Sequence, residues 1–172
     1  MMRMIAAIDE ARGLATDDGI PWTLPTDQRF FVNQTREGII LMGYGTYLEF
    51  DKPMHGRPNY VATLHADALK PGFVAVHDVP AFVASHADDV VQNIGGAGLF
   101  GSTLPLADEL LLTRIRADFR CTKFFPPFED EFRLATQSEA VTENGVMYVF
   151  QTWRPAPADG RVSRCRARPD VR

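Results

Sequence analysis

Several runs in this chain are apolar on both faces of a strand rather than on one. Residues 3–8, Gly38-Ile39-Ile40-Leu41-Met42-Gly43 and Glu109-Leu110-Leu111-Leu112-Thr113-Arg114-Ile115 read as continuous hydrophobic segments, not as alternations of apolar and polar side chains. Such strands must be covered above and below, which is the condition of a parallel sheet layered between helices. Helical patterns separate them: Pro25 opens one, and 44–50, 80–86 and 98–104 are three more. Further strands are expected at 59–63, 73–77 and 90–94. Alternation of this kind predicts a largely parallel sheet with right-handed crossovers and helices on both faces.

The chain ends differently. Residues 132–138 and Val146-Met147-Tyr148-Val149-Phe150-Gln151-Thr152-Trp153 flank Glu143-Asn144-Gly145, and Asn-Gly is a strong hairpin-turn dipeptide, so an antiparallel hairpin is expected to finish the sheet. From residue 155 the composition turns to Pro, Ala, Gly, Ser and Arg without periodicity, with Arg161, Arg164, Arg166, Arg168 and Arg172 against Asp159 and Asp170. We therefore divide the chain into a folded domain, 1–154, and a disordered basic tail, 155–172.

At 172 residues, with 45% apolar and 23% charged side chains, one domain with a proper core is the simplest organisation. A net charge of −4 argues against a nucleic-acid binder, which needs a basic face. No stretch approaches the roughly 20 apolar residues of a membrane span. The opening apolar run ends in Asp9-Glu10 and is not a signal peptide. Cys121 and Cys165 form no disulfide framework, so a cytoplasmic setting is expected. His55, His65, His77 and His86 have no ligand spacing, and no metal site is expected.

Asp27 lies in Ile20-Pro21-Trp22-Thr23-Leu24-Pro25-Thr26-Asp27-Gln28-Arg29-Phe30-Phe31 and shares a helical face with Leu24, Phe31 and Gln34. Two readings stand open on these residues alone. An acid beside phenyl rings and an indole is poorly solvated and suited to grip a flat, amidine-like heterocycle. An Asp in a first helical turn can equally face water, favoured there by the helix dipole.

Ile94-Gly95-Gly96-Ala97-Gly98 ends a strand in paired glycines and starts a helix, which lets a ligand approach the backbone and meet free N–H groups. Gly43-Tyr44-Gly45-Thr46 repeats the design. Both would lie at the carboxyl edge of one sheet, where open α/β sheets place ligands. Arg57, just before a strand, is a candidate carboxylate fork or an ordinary surface arginine. Thr113 is a lone hydroxyl in an apolar strand and needs a polar partner, for which Asp27 is one candidate. The long segment 9–23, ending in Ile20-Pro21-Trp22, suits a lid that excludes water from a site.

Taken together, Ile5-Ala6-Ala7, Ile20-Pro21-Trp22-x-Leu24-Pro25-x-Asp27, Met42-Gly43-x-x-Thr46, Gly56-Arg57-x-Asn59, Ile94-Gly95-Gly96, Leu104-Pro105-x-Ala107-Asp108-Glu109-Leu110, Thr113 and Phe125-Pro126 resemble the dihydrofolate reductase family, in register from residue 4 to about residue 153. The resemblance implies a central, mostly parallel eight-stranded α/β sheet with a C-terminal antiparallel hairpin. It implies reduction of dihydrofolate by hydride from NADPH, binding of antifolates, no metal, and a monomer. It favours the buried reading of Asp27, which would bind the pterin and assist protonation at N5, with Thr113 anchoring it and Trp22 closing the lid beside Ile20. Ile5, Ala6, Phe31, Phe50, Met54 and Ile94 would wall the substrate, and Arg57 would clamp its glutamate carboxylate. Ala7, Ile20, Gly43, Tyr44, Gly45, Thr46, Thr63, Leu64 and His65 would meet the cofactor. So would Ile94, Gly95, Gly96, Ala97, Gly98, Leu99 and Phe100.

The chain departs from the family where NADPH is told from NADH. Tyr44 stands where an arginine is usual, Leu64 where a hydroxyl is usual, and Ala97-Gly98 where a basic residue is often found, leaving Thr63 and His65 for the 2′-phosphate. NADH use is therefore expected beside NADPH use. Phe100 replaces a frequent tyrosine, and Gln28 and Arg29 make the pocket rim polar. A riboflavin-pathway type of reductase has a similar fold but lacks the Trp22–Asp27 motif combined with Arg57. A non-catalytic pterin- or nucleotide-binding homologue is the remaining alternative.

Overall fold

The doubly apolar runs become the centre of one sheet. The computed structural model describes residues 1–64 and 69–157. In chain order they form β1 (Met2–Ile8), β2 (Gly13–Ala15), α1 (Pro25–Gln34), β3 (Ile39–Gly43), α2 (Tyr44–Leu48), β4 (Asn59–Ala62), β5 (Phe73–Val76), α3 (Val79–Ser85), β6 (Val91–Asn93), α4 (Ala97–Thr103), a 3₁₀ turn (Leu104–Leu106), β7 (Glu109–Ile115), β8 (Lys123–Phe124), β9 (Phe132–Gln137), β10 (Val141–Glu143) and β11 (Val146–Pro155).

Eight strands run in the order β10-β11-β7-β1-β6-β3-β4-β5, and β9 adds to β11 beside that path. All pairings among β7, β1, β6, β3, β4 and β5 are parallel. β11 runs antiparallel to β7, β9 and β10. Side-chain alternation sends each apolar run to two cores. Met2, Met4 and Ile8 of β1, with Leu110 and Leu112 of β7, meet Leu99 and Phe100 of α4 on one face, where α3 also packs. Ile40 and Met42 of β3 meet Tyr47 of α2 on the other. On that second face Trp22 and Leu24, which lead into α1, pack with Ile115 and Tyr148.

Three expectations need correction. The segment 9–23 is not all loop, because β2 pairs antiparallel with β8 in a separate two-stranded sheet. The terminal hairpin is made by β10, not by the strand at 132–138: Glu143 faces Val146 across the Asn144-Gly145 turn. β9 pairs with the far half of β11, where Gln137 faces Gln151 and Phe132 faces Pro155. Ser138 marks the break, its hydroxyl accepting from the Phe150 N–H at 3.0 Å, so the chain leaves the ladder and rejoins at Val141. Pro155, assigned to the tail, is the last residue of β11, and the arginine-rich part of that tail, like Cys165, lies outside the described residues. Among the described residues no helix is long and apolar enough to cross a membrane, and no cluster of His, Cys, Asp or Glu is placed to hold a metal ion.

Asp9, fully buried at the end of β1, ties the start of the 9–23 segment to the chain before β8. Its Oδ1 accepts from the N–H groups of Ala11 at 2.9 Å and Gly13 at 2.6 Å, and its Oδ2 from Phe119 at 3.1 Å. Stranding a buried donor costs about 1–3 kcal/mol. Asp9→Ala strands the buried Gly13 donor and releases the part-buried donors of Ala11 and Phe119, and is expected to lower stability by roughly 2 kcal/mol in urea unfolding; an unchanged midpoint contradicts this role.

Candidate active site

The carboxyl edge of the sheet opens into one large cleft. Its volume is about 1130 Å³, and its lining runs from Asp27 at one end to Thr63 and Leu64 at the other. Helix α1 carries Asp27 in its first turn behind Pro25. A parallel strand then supplies the partner: Thr113 of β7 is buried, and its hydroxyl donates to Asp27 Oδ1 at 2.6 Å. Asp27 is half-buried and lines the cleft. Burial pushes its carboxyl above the usual carboxylate range; the Thr113 hydrogen bond works against that, and the negative charge of Glu143 adds to it.

Around the acid, Ile5, Ala6 and Ala7 of β1, Trp22 and Phe31 line the cleft together with Phe50 and Ile94. Trp22 is almost wholly buried, held edge-on by Phe119 with ring centroids 5.2 Å apart. Ile20 also lines the cleft, yet it is 65% exposed, so it stands at the mouth with one apolar side uncovered.

The second half of the cleft is built from the two glycine turns. Gly43, Tyr44, Gly45 and Thr46 line it from the start of α2, and Gly96, Ala97, Gly98, Leu99 and Phe100 from the start of α4. The turns touch: the Gly43 N–H donates to the Gly95 carbonyl at 2.6 Å. Gly95 has φ +95°, and a Cβ there would stand 2.6 Å from the Phe100 ring, so glycine is required. Gly95 itself lies behind the wall. A Cβ on Gly96 would come within 3.3 Å of Thr46 Oγ1. The N-cap of α4 is Gly96, with no side chain satisfying the first-turn N–H groups.

Besides Gly95, three of the expected residues are not on the cleft wall. Thr113 stands behind Asp27. Met54 packs into the core under α2, where buried Asn59 binds both its N–H and its carbonyl at 2.9 Å. Arg57 lies beyond Met54; its Nη1 donates to the His55 carbonyl at 3.2 Å, and its buried Nε has no partner among the described residues. Position 65 lies outside the described residues. Conversely, Gln28, Glu49, His77, Ser102 and Lys123 line the cleft unforeseen as binding residues, although Gln28 was read as part of its rim. His77 follows β5, its Nδ1 2.7 Å from the Thr63 carbonyl. Lys123 reaches the cleft only because β8 pairs with β2, a contact with no local sequence signal.

A family model described as dihydrofolate reductase matches residues 1–155. The chain is 31% identical over 146 residues to the dihydrofolate reductase of Bacillus subtilis, covering 84% of this chain and 86% of the relative. It is 32% identical over 152 residues to that of Neisseria gonorrhoeae, covering 86% and 93%. The solved dihydrofolate reductase of Enterococcus faecalis, complexed with NADP(H) and RAB-propyl, superimposes with a TM-score of 0.79 at 25% identity, covering 90% of this chain and 96% of that one.

The Thr113 hydroxyl stabilises the ionised form of Asp27, so its loss should raise the carboxyl pKa further. In Thr113→Val the Asp27 carboxyl carbon, followed by NMR, is expected to titrate at higher pH than in the parent. A lower or equal midpoint refutes the assignment.

Proposed function

The chain belongs to the dihydrofolate reductase family, and from that premise we propose how its own residues carry the reaction. The protein reduces 7,8-dihydrofolate to tetrahydrofolate with NADPH. Bound NADPH supplies the hydride to the pterin. The observation that carries the reading is Asp27, an acid held by a buried hydroxyl on the wall of the cleft, with a raised proton affinity. A carboxylate on the cleft wall accepts from the donor edge of a pterin, and burial gives it a higher proton affinity than a freely solvated Asp has.

In this reading Asp27 binds the amino and N3 edge of the pterin and assists the proton that must reach N5. Thr113 orients the carboxylate. Ile5, Ala6, Phe31, Phe50 and Ile94 sandwich the ring, while Trp22 and Ile20 exclude water at the mouth. Arg57 is assigned to the substrate's glutamate carboxylate: burial, and after it the charge of Arg36, disfavours its charged form, and its buried Nε has no partner among the described residues, so an anionic ligand would suit it. Ala7, the glycine turns and Thr46 fit the cofactor, because a Cβ at either Gly43 or Gly96 would narrow the trough between them. Tyr44, Thr63, Leu64 and His65 are assigned to its adenosine end, to which the structure adds His77. The riboflavin-type alternative is not favoured. We assign the arginine-rich tail no role in this reaction.

Asp27→Asn is expected to reduce kcat/KM with dihydrofolate about 100-fold or more at neutral pH, and less at low pH, where substrate arrives already protonated. Activity independent of the substitution at every pH overturns the role. With few cations facing the adenosine end, kcat/KM for NADPH is expected to exceed that for NADH by less than about 10³, roughly 4 kcal/mol. A larger ratio refutes this relaxed selectivity.

A further inference from the structure

Helix α1 begins without a capping side chain of its own. Its N-cap residue is Leu24, which makes no side-chain cap, and the next residue is proline. The missing acceptor comes from the far end of the chain. Glu143, the last residue of β10 before the hairpin turn, accepts from the Thr26 N–H at 3.1 Å and from the Thr26 hydroxyl at 2.9 Å. Buried Tyr148 of β11 steadies the same carboxylate through its hydroxyl at 3.0 Å. One residue further on, Asn144 donates to the Thr23 carbonyl at 2.8 Å. The hairpin tip therefore grips both sides of the proline turn that delivers Asp27, the residue bonded to Thr26.

We propose that Glu143 is a positioning residue for Asp27: it locks the first turn of α1 to the β10–β11 hairpin and holds a second negative charge beside the cleft acid. This rests on the reading of Asp27 given above. A carboxylate at a helix start is favoured by the exposed N–H groups there, and Glu143 brings its carboxylate from another element, leaving Asp27 free to face ligand. The groups facing the pair are few. Thr113 from β7 donates to Asp27; Tyr148 from β11 donates to Glu143; and Arg29, on the outer side of α1, donates to the Thr26 hydroxyl at 2.8 Å and draws Glu143 toward its charged form. The Thr26 hydrogen bonds, with Tyr148 and Arg29, shift Glu143 down while burial shifts Asp27 up, so the two carboxyls are pushed apart in proton affinity.

The test compares Glu143→Gln, which keeps length and one acceptor oxygen but not the charge, with Glu143→Ala, which loses both. In each, the Asp27 carboxyl carbon is titrated by NMR, and kcat/KM for dihydrofolate is followed against pH. Removing the charge is expected to move the Asp27 midpoint, and the pH profile with it, to lower pH in both variants. Removing the grip is expected to reduce kcat by roughly tenfold in Glu143→Ala, with substantial recovery in Glu143→Gln. An Asp27 midpoint and pH profile unchanged in both variants, or equal losses of kcat in the two, overturns the proposal. Asp27→Asn, assayed alongside, separates the two failures: if it abolishes activity at neutral pH while the Glu143 variants leave the midpoint alone, only the role of Glu143 is lost.

Discussion

The bond between the Thr113 hydroxyl and Asp27 joins the two parts of the molecule that make a site possible. Thr113 sits inside β7, a strand whose other residues, apart from Arg114, are buried, so its position is fixed by the sheet. Asp27 sits on α1, a helix with no fully buried residue of its own. Such a helix is held by its ends and by few contacts, and a charge on it would otherwise turn to water. The hydrogen bond from a rigid strand gives the acid one orientation, and the half-burial that results gives it a raised proton affinity.

The rest of the cleft follows from sheet topology. β1, β3 and β6 are adjacent and parallel, so their carboxyl ends lie side by side. Each ends in small residues: Ala6 and Ala7 near the end of β1, Gly43 in β3, and Gly95 and Gly96 just past β6. Small residues at three neighbouring strand ends make a trough whose floor is backbone, and helices starting there turn their N–H groups toward it. The apolar strands thus do two things at once. Their interiors fill both cores, and their ends stop where a side chain would obstruct.

What was legible in the sequence was local. The doubly apolar runs declared a covered parallel sheet, Pro25 declared the start of α1, and the glycine pairs declared the two turns, because each rests on neighbours within a few residues. What escaped depends on contacts between distant segments. Thr26 and Glu143 are 117 residues apart, and Asp9 and Phe119 are 110 apart. Neither has a spacing rule. β2, three residues long, and β8, two, carry too little pattern to register as strands, yet their pairing sets where Lys123 stands. Phe132–Gln137 was legible as a strand, but which half of β11 it joins is again a matter of pairing between segments, Gln137 with Gln151 and Phe132 with Pro155.

These long-range contacts share a chemistry. Asp9 and Glu143 are both carboxylates that accept backbone N–H groups from a segment leading into the cleft, Asp9 at the start of the 9–23 stretch and Glu143 just past its end. An apolar contact fills space without fixing direction, whereas a carboxylate with two or three N–H or O–H donors defines both. A segment that must stay close to a cleft without being buried has little apolar surface to hold it. Directional anchors at its two ends constrain it while leaving Ile20, between them, uncovered at the mouth. The site acid needs a partner that orients it without neutralising it. A hydroxyl serves there, because an arginine or lysine in its place would hold Asp27 ionised and cancel the raised proton affinity that burial gives it.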